Sequence, residues 1–122
     1  MSSVCKNFTL GFYIIVIFSI SSIPGAGFIG KIHQFGFDKI FHFIEYYILG
    51  YLIVLRLNKE SKIYKIFYLL VILIAYLDEY FVQRISGRTI DDLDFVFNIL
   101  GLYSGIFTTN LISNYYDKKN KN

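Results

Sequence analysis

Two stretches without a single charged residue constrain this chain more than anything else in it. Phe8–Gly30 runs for 23 residues and Phe95–Tyr116 for 22. About 20 mostly apolar residues in a helix cross a bilayer core, so both runs are long enough. Two further apolar runs lie between them. In Asp38–Leu57 the charges are Asp38, Lys39, Glu45 and Arg56; in Ile63–Gln83 they are Lys65, Asp78 and Glu79, all near the ends. Four spans of this size take up about 80 residues, which leaves no room in 122 for a separate soluble core. The expected fold is all-α: a polytopic bundle of four transmembrane helices at about 8–23, 38–57, 63–83 and 92–113, forming one domain over 1–122.

Composition agrees. Hydrophobic residues make up 55% and charged residues 17%, with one proline and one cysteine. These values argue against disorder and against a disulfide-stapled secreted module. A net charge of +3 is too small for a nucleic-acid footprint. The first apolar run exceeds the length of a signal-peptide core. Pro24-Gly25 reads as a helix stop, so the first span is expected to be retained. Cys5 precedes that run and reads as a bystander.

With four spans, both termini and the loop around Asn58–Tyr64 share one side. That side holds eight basic residues (Lys6, Arg56, Lys59, Lys62, Lys65, Lys118, Lys119, Lys121) against Glu60 and Asp117. The other side holds four basic residues (Lys31, Lys39, Arg84, Arg88) against seven acids (Asp38, Glu45, Asp78, Glu79, Asp91, Asp92, Asp94). Basic residues in short loops stay cytoplasmic. Both termini are therefore expected inside and the acidic end outside.

Asp38, His42 and Glu45 follow at i, i+4 and i+7, on one helical face. Asp78 and Glu79 end the third run, and Arg88 follows in the Ile85–Asp92 loop, where Ser86-Gly87 marks a turn. Asp91, Asp94, Asn98, Gly101 and Gly105 repeat at steps of three and four, a second stripe. Ionisable residues inside spans face the bundle interior or a wet cavity. The candidate binding residues are thus Asp38, His42, Asp78, Glu79, Arg88, Asp94 and Asn98. Lys39 and Asp92 read as boundary and loop positions, and Gly50, Gly101 and Gly105 as close helix contacts. The tyrosines, Tyr46, Tyr47, Tyr51, Tyr76 and Tyr80 among them, mostly read as lipid contacts or interfacial anchors. One His among scattered acids has no diagnostic ligand spacing, so no metal is assigned; carboxylates alone suit hard Mg²⁺ or Ca²⁺. No cofactor fingerprint is present.

The string Asp38-Lys39-Ile40-Phe41-His42-Phe43 with Tyr46 resembles the VanZ-like family. So do Asp78-Glu79 ten residues before Arg88, then Asp94, Asn98, Gly101 and Gly105, and Ser21-Ser22-Ile23-Pro24-Gly25 after the first span. The family carries a glutamine three residues after the Glu; here Val82 stands there, with Gln83 next to it. Ser86 stands where a proline is common. The resemblance implies a multi-pass protein of the bacterial cytoplasmic membrane, in a family named for a member that lowers susceptibility to teicoplanin. The expected activity is non-enzymatic: an outward polar pocket engaging a cell-wall precursor, a lipid head group or a glycopeptide, with membrane lipids as partners. The alternative is a small intramembrane enzyme acting on a lipid-linked phosphate or peptide, with His42 or a carboxylate as general base.

Overall fold

The computed structural model describes residues 3–24, 36–57 and 62–120. They form four helices and, among the described residues, no strand: α1 Ser3–Ser21, α2 Phe37–Arg56, α3 Lys62–Ile85 and α4 Asp92–Lys119. The expected boundaries shift at the ends. α1 begins five residues earlier and stops at Ser21, where Ser22 and Ile23 donate backbone bonds to Phe18 and Ile20. α4 continues six residues past 113 and ends on Lys118 and Lys119, which complement the negative end of its dipole. Lys31, Lys59, Glu60, Lys121 and the 58–61 part of the expected inner loop lie outside the described residues.

Local chemistry sets the turns at the polar end. Gly87 adopts φ +75°, a conformation open to glycine. Around it Gly87 N–H bonds to Arg84 O and Arg88 N–H to Gln83 O, the paired bonds that close a helix on a left-handed residue. Asp91 then caps α4, its carboxylate accepting from Leu93 N at 2.9 Å.

α2 and α4 form the main pair. A Cβ on Gly50 would strike the Leu102 carbonyl, one on Gly101 the Phe43 carbonyl and one on Gly105 the Tyr47 carbonyl. The three glycines thus set a backbone-to-backbone approach, and the Tyr47 hydroxyl bonds to Thr108 Oγ1 across it at 2.8 Å. α1 lies against α2 and the outer part of α3, held in part by the Tyr13 hydroxyl donating to the Glu45 carbonyl at 2.9 Å.

Burial is inverted relative to a water-soluble bundle. Leu10, Ile17, Leu49, Ile53, Val71, Ala75 and Leu102 are inside, but so are Asp38, His42, Asp78, Glu79, Gln83, Asp94 and Asn98. Large apolar side chains cover the outside on every helix, among them Phe8, Phe41, Leu69 and Phe107. α3 and α4 are each long and apolar enough to cross a membrane.

Candidate functional site

The site begins with a register in α2. Steps of four from Asp38 reach His42 and then Tyr46, and all three are buried against the neighbouring helices. Tyr46 is fully enclosed, and its hydroxyl donates to Asp78 Oδ2 at 3.1 Å. This corrects the reading of Tyr46 as a lipid contact: it belongs to the polar interior. Tyr80 donates to Asp92 Oδ1 at 2.6 Å at the exposed surface.

α3 supplies Asp78, Glu79 and Gln83 from a single wide turn. Val71, Ala75, Glu79 and Gln83 follow at steps of four, which drift by about 40° each on an ordinary α-helix. A π-helical turn at Asp78–Val82 offsets the drift. Gln83 is consequently buried, and its Nε2 donates to Glu79 Oε2 at 2.5 Å, while Val82 is only partly buried. Gln83, rather than Val82, is therefore the residue turned inward.

From α4 come Asp94 and Asn98, both enclosed. Lys39 reaches across to α4 and donates to Asp91 Oδ2 at 2.7 Å and Asp94 Oδ1 at 3.0 Å, with Asp38 Oδ2 at 3.7 Å. Lys39 thus clamps the start of α2 to the start of α4, a role no spacing in its own helix announces. Asp91 N–H donates to Glu79 Oε1 at 3.2 Å, which joins the start of α4 to the wide turn.

These residues form two groupings that share His42. The first is a cleft of about 360 Å³ between α1 and α2. Val16, Ile20, Phe41, Ile44 and Ile48 supply its apolar walls, and Asp38, His42, Glu45 and Arg88 its polar end. Arg88 thus joins Asp38 and His42, as the spacing predicts, while Glu45 enters the site from outside the candidate set. The second is a buried side-chain cluster contributed by α2, α3 and α4. There one side-chain atom each of His42, Glu79 and Asp94 lies within 4.8 Å of the other two, and His42 Nε2 is 3.6 Å from Asp94 Oδ2. A base held by a carboxylate can move a proton, and an imidazole with two carboxylates can also ligate a metal.

Comparison with family models, with curated proteins and with solved structures found no match to this chain.

Proposed function

We propose that the chain is a VanZ-like protein of the bacterial cytoplasmic membrane, crossing it four times with both termini in the cytoplasm. It binds an amphiphile with an anionic head group, such as a lipid-linked cell-wall precursor or a lipoglycopeptide, and so lowers glycopeptide susceptibility. Two facts support the membrane part: the apolar outer surface of all four helices and the concentration of ionisable groups inside. Lipid is the solvent in which that distribution is stable.

The observation that carries the binding part is the make-up of the α1–α2 cleft. Its walls suit an acyl or prenyl chain, and its polar end offers the Arg88 guanidinium beside His42. A planar forked donor matches phosphate or carboxylate oxygens. The test is native mass spectrometry of the detergent-purified protein titrated with a polyprenyl phosphate. Arg88→Gln, and Ile44→Trp to fill the cleft, should each weaken binding by about tenfold, equivalent to about 1.4 kcal/mol, with folding retained. Unchanged binding in both folded variants would overturn this reading.

The enzymatic alternative has its own support, the 3.6 Å approach of His42 to Asp94 beside the cleft. It is separated by turnover: conversion of a polyprenyl phosphate by the wild type, abolished in His42→Gln, marks an enzyme, and retention of the intact ligand marks a binder.

A further inference from the structure

We propose that His42, Glu79 and Asp94 form a binding site for a divalent transition-metal ion such as Zn²⁺, in the buried side-chain cluster. Three helices deliver the ligands: α2 the imidazole, α3 the glutamate from its wide turn, and α4 the aspartate. All three residues are buried. With their ligating atoms at most 4.8 Å apart, an ion at the centre needs each to move inward by about 0.7 Å to reach ordinary Zn–N and Zn–O lengths. Side-chain torsions supply that.

Hydrogen bonding at the site points independently to a missing cation. Among the described residues, Asp94 Oδ2 is buried without a hydrogen-bond partner, with His42 Nε2 standing 3.6 Å from it. Asn98 is fully enclosed one turn along α4 from Asp94 and adjacent to His42. Buried polar groups are normally satisfied, and an ion held between His42, Glu79 and Asp94 would satisfy this oxygen.

Charge leads to the same place. Asp94 has Lys39, but among the described residues neither Asp78 nor Glu79 has a cationic side chain within 4.0 Å. Their hydrogen bonds come from the uncharged donors Tyr46, Ser21, Gln83 and Asp91 N–H, and the Arg88 guanidinium acts on both only from beyond that distance. A buried carboxylate is costly without a counter-charge, and a divalent ion beside Glu79 and Asp94 provides one. Gln83 and Asp91 N–H fix the Glu79 carboxylate and Lys39 fixes Asp94, as outer groups do around metal ligands. The imidazole selects a borderline ion over Mg²⁺ or Ca²⁺. Sequence spacing cannot announce such a site, because each ligand comes from a different helix.

The site does not rest on the lipid-binding reading, and its test is separate. Full-length protein in detergent, stripped with EDTA, is titrated with Zn²⁺ by calorimetry. Zinc absorption spectroscopy on the loaded wild type then reads the ligands without any variant. The expected results are one equivalent bound, a raised Tm, and a nitrogen–oxygen shell at about 2.0–2.1 Å with imidazole scattering. His42→Gln and Glu79→Gln should weaken binding by at least about tenfold, whereas the exposed Asp117→Asn binds as wild type does. Absence of binding by folded wild type overturns the proposal, as does a bound-zinc spectrum lacking imidazole scattering.

Discussion

Tyr46 and Lys39 carry much of the polar interior's order, and neither belongs to the candidate set that spacing provides. Tyr46 lies four residues beyond His42, and the Asp38–His42 step extended once more reaches it. The signal was present, but an aromatic at membrane depth is equally at home against lipid. Lys39 differs, since its partners Asp91 and Asp94 are more than fifty residues away and no local pattern encodes that pairing. Tyr46→Phe deletes the donor to Asp78 without opening space. It should cost about 1.5–3 kcal/mol, the range for a hydrogen bond to a charged group, read as a lower Tm in detergent. Lys39→Met removes the cation shared by Asp91 and Asp94 and should destabilise by about 1–3 kcal/mol, because the buried Asp94 loses a charged donor while Lys39 and Asp91 are part-exposed. A Tm within a degree of wild type for Lys39→Met would mean that these carboxylates are neutral.

Among the elements, α2 and α4 were the most legible. The Gly101-x-x-x-Gly105 spacing predicts a close contact, and the backbone of α2 occupies it, with Gly50 answering from the other side. Leu102 is buried too, so the contact face is wider than the glycine stripe. The wide turn of α3 was not legible, because a π-helical turn has no composition of its own. Its consequence is that Gln83 rather than Val82 is buried. Gly101→Ala and Gly105→Ala each place a methyl group against a carbonyl oxygen of α2. Such overpacking costs about 1–3 kcal/mol, whereas helix propensity alone favours alanine by about 1 kcal/mol. Both variants should therefore lose folded yield in detergent, while Leu100→Ala on the exposed face of α4 should not. Equal yields across the three would show that α2 and α4 can separate without penalty.

For the molecule as a whole, four helices and their apolar exterior follow from the two uncharged runs and the two weakly charged ones. The grouping of polar residues at one end also follows, since α2 begins, α3 ends and α4 begins there. The division of that end into a cleft and a buried side-chain cluster does not, because it depends on how α1 lies on α2. All of this presupposes one arrangement in the membrane: four crossings, with the Arg88 end outward. Labelling of intact cells with an impermeant thiol reagent tests it, using chains with Cys5 replaced by serine and a single cysteine at Ser86 or at Lys118. Reaction at position 86 alone, with position 118 reacting only after the cells are opened, is the predicted result. Reaction at 118 in intact cells, or equal reaction at both positions, would contradict it.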